Sequence, residues 1–308
     1  MPKNVIVIAG PTASGKSRLA IDLAKELDGI IVNADASQVY SGIPIIAASP
    51  SIKDKQEAEH RLYEYLDVSA NGNVYDWLDK AVSEIRSIWR DGKLPIVVGG
   101  GGLYLDNLIN GTTPIPNVKP EIREEIMSFL EQNGVESLYE RLKQEDAEAA
   151  KMLKPNDTTR VRRALEIFYS TGISISEWYK KPMVQKIPEA EFLTIALLPD
   201  KKFLDERCDT RFEKMLNLGA VDEVKYLISR NLSSDLPAMR AKGVPELIEA
   251  IQGKITFDEA VDLAKIHTRQ YAKRQLTWFR NKLKADIVFK DCYIGQKDFI
   301  NDVKKQYK

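Results

Sequence analysis

Cysteine and histidine are scarce, with two of each in 308 residues. Cys208 and Cys292 lack the paired spacing of a metal site, and so little cysteine fits a reducing compartment. With only His60 and His267, a histidine-rich metal centre is excluded. No apolar run is long enough to span a membrane. The N-terminus runs straight into an apolar stretch without a signal-peptide pattern, so a cytoplasmic protein is expected. Net charge is also missing. Lys plus Arg and Asp plus Glu are 45 each, so any attraction for a polyanion must come from a local patch. No internal repeat or low-complexity tract occurs. Nor does an apolar strand end in a metal-binding Asp followed by a hydrolytic Glu, which argues against an ATPase or motor.

What is present is the composition of a soluble globular protein, 44% apolar and 29% charged, long enough for one large domain or two smaller ones. Its most specific stretch is Gly10-Pro11-Thr12-Ala13-Ser14-Gly15-Lys16-Ser17. The apolar run Val5 to Ala9 precedes it, and a segment with helical apolar spacing follows from Arg18. Strand, glycine-bounded loop and helix together make a phosphate-binding P-loop. Its backbone N–H groups form an anion nest at the positive end of a helix. Lys16 can place a charge on phosphate oxygens, and the Ser17 hydroxyl can ligate a Mg²⁺ that bridges them.

Further apolar runs at Gly29 to Asp35, Leu94 to Val98 and Phe192 to Leu198 read as buried strands, with a last one at Ala285 to Phe289. Helical spacing lies between them, over Val74 to Trp89 and Leu103 to Ile109, whereas Ser41 to Lys55 reads as irregular. The pattern predicts an α/β fold, a P-loop NTPase-like parallel sheet covered by helices. From Pro120 to about Trp178 helix follows helix without a strand. The expected organisation is therefore a catalytic core over 1–112 and 190–308, with an all-helical insertion over 113–189.

In parallel sheets ligands sit beyond the carboxyl ends of the strands. The P-loop, Asp35 and the run Gly99 to Gly102 all fall at such ends, so one crevice is expected to hold them. Asp35 is placed to accept a proton or hold a metal-bound water; its bland alternative is to cap a turn. The glycine run serves either close backbone approach to a ligand or a flexible turn. Arg207 and Arg211, at i and i+4, either reach the crevice or pair with Asp205 or Glu206 in solvent. Arg160 and Arg163 share a helix face that, on charge alone, reads as solvated. Residues 263–285 contain no Asp or Glu, yet hold seven cations interleaved with Tyr271, Trp278 and Phe279. Such a helix can track a nucleic-acid backbone through Arg269, Lys273 and Arg274, while most of its aromatics face the core.

The order of these motifs resembles the tRNA dimethylallyltransferase family. The resemblance runs from about Asn4 to Arg280: P-loop, Asp35-x-x-Gln38-x-Tyr40, a glycine turn with Leu103-Tyr104, an Arg160-x-Arg162-Arg163-Ala164-Leu165-Glu166 helix, then residues 268–280. It implies transfer of a dimethylallyl group from its diphosphate to the exocyclic amine of the adenosine just 3′ of a tRNA anticodon. The P-loop, Lys16 and Arg211 would then hold the leaving diphosphate with Mg²⁺ on Ser17, and Asp35 would take the amine proton. Asp35, Ala36, Ser37, Gln38 and Gly101 would surround the flipped base. Arg123 with Thr159, Arg160, Val161, Arg162 and Arg163 would grip the anticodon stem-loop. The implied partners are tRNA and dimethylallyl diphosphate, with no membrane, and the expected state is a monomer.

Four positions depart from the family's pattern. Ala36, Ala47 and Gly101 replace hydroxyl residues and Ser49 replaces a cation, and each lost hydrogen bond is worth about 1 kcal/mol. Three other functions compete with transfer to tRNA. A P-loop kinase of a small metabolite would use ATP. Prenylation of a free adenine nucleotide would need neither the insertion nor the basic helix. A tRNA-binding protein without catalysis would bind salt-sensitively and form no product.

Overall fold

A computed structural model describes residues 3–307. The strands are β1 (Lys3–Ala9), β2 (Gly29–Asn33), β3 (His60–Arg61), β4 (Leu94–Gly99), β5 (Ala190–Leu197) and β6 (Ile287–Phe289). They form one parallel sheet in the order β3-β2-β4-β1-β5-β6. β-Branched apolar residues fill both faces, as a sheet covered on both sides requires. Alternate residues serve different cores: Val5, Val7 and Ala9 point into one, Ile6 and Ile8 into the other. The first core packs under helix Val74–Arg90, the second under Lys16–Leu27 and Lys297–Tyr307.

Two local readings change. β3 has only two residues, too short for any alternation to mark it. The segment expected to be irregular ends in a helix, Ile52–Glu57. Its start is fixed by a capping box, in which Ser51 Oγ accepts the Asp54 N–H and the Asp54 carboxylate accepts the Ser51 N–H.

The chain divides into two compact units, Met1–Ile109 with Lys186–Lys308, and Asn110–Gln185. These boundaries stand beside the expected 113 and 189. In the second unit Thr112 and Val184 exchange backbone hydrogen bonds of 3.0 and 2.8 Å, so its entering and leaving segments are pinned together. Its helices are Pro120–Glu145, with non-helical backbone at Gly134, then Ala147–Met152, Thr158–Thr171 and Ile175–Lys180. The Asp146 carboxylate accepts from the Ala149 N–H, the Ser176 N–H and the Ser176 hydroxyl, which ties three helices through one buried group.

In the first unit the sheet's carboxyl edge is closely fitted. A Cβ on Gly99 would stand 2.1 Å from the Ala34 carbonyl oxygen, which cannot move without breaking the Ala34 N–H bond to Val98. Gly99→Ala is expected to lower the unfolding free energy by about 3 kcal/mol. Gly92→Ala, at a positive φ in open space, should cost only about 1 kcal/mol. Urea titration of both variants checks the contrast.

Candidate active site

Positive-φ backbone gives the P-loop its shape. Gly10, Ala13 and Gly15 have φ of 155°, 63° and 95°. A side chain at Gly15 would meet the Tyr293 carbonyl at 2.1 Å. The Ser14 N–H closes the turn on the Pro11 carbonyl at 3.3 Å. Other segments fix the loop from outside. The Tyr293 N–H donates to the Ser14 carbonyl (2.9 Å), and Arg207 Nε donates to the Ala13 carbonyl (2.8 Å). Gln275 Oε1 accepts the Thr12 N–H, while its Nε2 donates to the Gly100 carbonyl, both at 2.8 Å. One side chain of helix Phe257–Lys282 thus joins the loop after β1 to the glycine turn after β4.

The loop carries more positive charge than its surroundings neutralise. Lys16 Nζ donates to the Pro11 carbonyl at 2.7 Å and meets no carboxylate at ion-pair distance among the described residues. Burial pushes its ammonium down to about 8; Asp35 opposes this and Arg211 adds to it. Burial likewise pulls the Arg211 guanidinium below its ordinary value, with Arg207 adding to the effect. Asp35 is the carboxylate whose charge reaches both Lys16 and Arg211. The free N–H groups of the first turn of helix Lys16–Leu27 add to this field. Ser14 Oγ is buried with no hydrogen-bond partner, and Ser17 is exposed at the start of the same helix. An anion with its own cation would satisfy these groups. Burial also raises both thiols, Cys208 to about 11, so neither is a thiolate nucleophile.

Asp35 lies two residues past the end of β2, not on it. Its N–H donates to Asn33 Oδ1 and its Oδ1 accepts the Ser37 N–H, each at 2.9 Å. Asn33 is buried, and its carbonyl accepts the Trp77 indole N–H at 2.7 Å. Asp35 Oδ2 accepts no hydrogen bond from a described residue, so one oxygen is held and the other is free. Asp35, Thr12, Ser37, Arg211, Lys242, Thr268 and Tyr271 line a narrow cleft of about 60 Å³ with Ile46, Ala47, Cys208, Phe212, Met215 and Ala241. The cleft thus combines a carboxylate and a guanidinium with an apolar lining. Burial, then the Asp35 charge, raises the Tyr271 phenol, which stays protonated.

The loop expected to be irregular forms part of this wall. Gln38 Nε2 donates to the Ala47 and Ala48 carbonyls, at 3.3 and 2.6 Å. The Glu223 carboxylate accepts the Ile45 and Ile46 N–H groups at 2.7 and 2.8 Å. Gln38 thus braces the loop as well as standing beside Asp35. Gly101 lies in the glycine turn after β4, where a Cβ would be 2.9 Å from the Ala34 carbonyl oxygen. Ala36 is exposed.

In the helical unit Arg123, Thr159 and Arg160 are exposed. Val161 corrects its expectation: it is fully buried among Leu165, Ala164 and their neighbours, so its side chain reaches no RNA. The apolar spacing of that helix puts it on the core face. Arg162 and Arg163 both pair with buried Glu166, at 3.2 and 3.7 Å. On helix Phe257–Lys282, Arg269 pairs with Asp209 and Lys265 with Glu213, whereas Lys273 and Arg274 are exposed. Gln275, Tyr271 and the Glu223 brace carried no assigned role in the sequence. The signal for Gln275 was a polar residue on the face of Thr268, Ala272 and Phe279, all of them buried.

A family model described as IPP transferase matches residues 38–282, more than half of the chain. The chain belongs to this family. The match starts at Gln38, beside Asp35, and ends past the basic helix. Relatives extend the likeness. A tRNA dimethylallyltransferase from Zymomonas mobilis is 45% identical over 90% of this chain and 88% of its own length. One from Rhodopseudomonas palustris is 42% identical over the same shares. Among solved structures, a eukaryotic dimethylallyltransferase acting on tRNA superposes with a TM-score of 0.84 at 30% identity, over 98% of this chain and 77% of that one. The full-length tRNA isopentenylpyrophosphate transferase of Bacillus halodurans gives 0.71 at 31% identity, over 99% and 95%. As in its IPP transferase relatives of known structure, the P-loop NTPase-like sheet is the frame of the site.

Two outcomes follow from the loop's charge and bracing. A diphosphate beside Lys16 would raise its pKa from the value of about 8 to which burial lowers it. Affinity for inorganic pyrophosphate should therefore be flat between about pH 7 and 8 and fall up to tenfold per pH unit above that. Lys16→Ala should bind weakly at every pH without that break, as calorimetric titration from pH 7 to 9.5 would show. Gln275→Leu leaves the Thr12 N–H and the Gly100 carbonyl without partners. It should lower stability by about 2–4 kcal/mol and raise the KM for the diphosphate, read by denaturation and by initial rates.

Proposed function

We propose that the chain transfers a dimethylallyl group from dimethylallyl diphosphate to the exocyclic amine of the adenosine 3′-adjacent to a tRNA anticodon, releasing diphosphate. The observation that carries this reading is a cleft that brings Thr12 of the P-loop and Arg211 together with Asp35, whose Oδ2 is free, while Lys16 of the same loop is close enough to feel the charges of both Asp35 and Arg211. Relatives at 42–45% identity are named for this reaction.

The chemistry divides between the two ends of the cleft. The adenine amine nitrogen attacks the first carbon of the dimethylallyl group, and the bond from that carbon to the diphosphate oxygen breaks. Its electron pair leaves with the diphosphate, where the loop N–H groups, Lys16 and Arg211 meet the developing charge. Asp35 Oδ2 accepts the amine proton as the carbon–nitrogen bond forms. The hydrogen bond from Ser37 to Oδ1 keeps the carboxylate oriented. Ile46, Phe212 and Met215 shield the five-carbon group from water.

Mg²⁺ fits the donors present. No group of three His, Cys, Asp or Glu side chains comes together among the described residues. An ion held by the Ser17 hydroxyl, the diphosphate oxygens and water matches its coordination habits. It would offset charge on the leaving oxygens. No helix among the described residues is long and apolar enough to cross a membrane. We further propose that Arg123, Thr159, Arg160, Arg162 and Arg163 contact the anticodon stem-loop, with Arg269, Lys273 and Arg274 on the basic helix, and that the transferase acts as a cytoplasmic monomer.

Mass analysis of tRNA nucleosides after incubation with enzyme, Mg²⁺ and dimethylallyl diphosphate tests the reading. An adenosine heavier by one five-carbon group is expected, with none formed from ATP alone. Asp35→Asn should lower kcat by 10²-fold or more while tRNA binding stays within twofold. Unchanged turnover would remove Asp35 as the base.

A further inference from the structure

Residues 291–296 lie past the end of the family match at residue 282, yet they meet the P-loop from outside. Tyr293 makes the contact. Its N–H donates to the Ser14 carbonyl at 2.9 Å, and its own carbonyl fills the space where a side chain on Gly15 would stand. Both polar backbone groups of one residue thus address one peptide, the one between Ser14 and Gly15. That peptide is trans, so its C=O and N–H point in opposite directions. Tying the carbonyl to Tyr293 outside the loop turns the Gly15 N–H inward, to the side where an anion sits in such a nest.

The surrounding segment holds Tyr293 in place. Gln296 closes on both of its neighbours: Oε1 accepts the Ile294 N–H at 2.8 Å, and Nε2 donates to the Cys292 carbonyl at 3.2 Å. The Tyr293 ring is 1% exposed and shares a core with Leu19, Leu23, Ile300 and Val303. Its phenol donates to Asp22 Oδ2 at 2.7 Å, while Oδ1 of the same carboxylate accepts from Arg18. Asp22 stands on helix Lys16–Leu27, the helix that the P-loop opens. Core packing alone would be served by a phenylalanine, and a buried hydroxyl is unfavourable unless it is bonded. Tyr293 is therefore fastened to the loop by its backbone and to the loop's own helix by its side chain.

We infer that Tyr293 is a positioning residue for the prenyl donor: through the Ser14 carbonyl and Asp22 it aims the Gly15 N–H at the diphosphate and fixes helix Lys16–Leu27 relative to the loop. This rests on the reading above of the P-loop as the holder of a diphosphate. Tyr293 does not line the cleft that holds Asp35 and acts on the donor side alone.

The test compares the full-length protein with Tyr293→Phe and Tyr293→Ala. One measurement is calorimetric titration of inorganic pyrophosphate in Mg²⁺; the other is initial rates with dimethylallyl diphosphate and tRNA varied separately. A misaimed N–H forfeits one hydrogen bond to a charged group, so Tyr293→Ala should weaken pyrophosphate binding and raise the donor KM by about tenfold. Tyr293→Phe keeps the ring and loses the bond to Asp22, and should do the same by about threefold. In both, kcat and the KM for tRNA should stay within about twofold. A merely structural role would lower kcat with the active fraction and leave both KM values alone. That pattern, or an unchanged pyrophosphate affinity in Tyr293→Phe, would overturn the inference. If circular dichroism shows Tyr293→Ala unfolded, Tyr293→Phe decides by itself. Failure of the wild-type protein to bind pyrophosphate would overturn the diphosphate reading and the inference with it, whereas wild-type binding that both variants keep overturns the inference alone.

Discussion

Uncompensated positive charge around the P-loop is the constraint on which the rest of the site depends. Lys16 and Arg211 stand near each other, both half-buried, with Arg207 bonded to the loop's carbonyl, and one carboxylate is nearby. Burying a cation without a partner costs several kcal/mol. Desolvation accordingly lowers the Lys16 ammonium to about 8. A fold that keeps such groups together is one whose resting state is incomplete, and an anion completes it. The same loop sequence could serve ATP. What distinguishes this site is the free Asp35 oxygen in the adjoining cleft and the apolar residues Ile46, Phe212 and Met215 that line it as well.

Charge alone would not hold the loop and the carboxylate in register. Four long-range bonds do so. Gln275 links the loop to the glycine turn, Tyr293 supports Ser14, and Trp77 anchors the residue two before Asp35. The apolar wall is fixed in the same manner, by Gln38 on one side and Glu223 on the other. Each of these groups is buried or half-buried and spends its hydrogen bonds on backbone of another segment. This is how a parallel sheet with loose carboxyl-end loops becomes a site of defined geometry.

Much of this was legible in the sequence, for identifiable reasons. The P-loop is local: its glycines, lysine and serine act within eight residues, so spacing reveals it. The strands were legible because both faces are buried, which makes them continuous apolar runs. β3 was not, because two residues carry no pattern. Asp35 was placed correctly near the crevice, but the strand stops at Asn33 and an asparagine-held turn presents the carboxylate. Val161 was misread because a basic motif was taken whole, when helical spacing buries one of its members. The bracing bonds of Gln275 and Glu223 span more than 170 residues. No local pattern encodes such a distance, and only the fold brings those groups to the loop.

The central claim is that the P-loop holds a leaving group, so that the bond broken joins carbon to oxygen, not phosphorus to oxygen. The most direct measurement uses dimethylallyl diphosphate with a heavy-oxygen label at the bridge between carbon and phosphorus, turned over with tRNA. The account predicts that all of the label leaves in diphosphate, one equivalent for each modified adenosine. Label retained on dimethylallyl alcohol, or diphosphate released without modified adenosine, would contradict it.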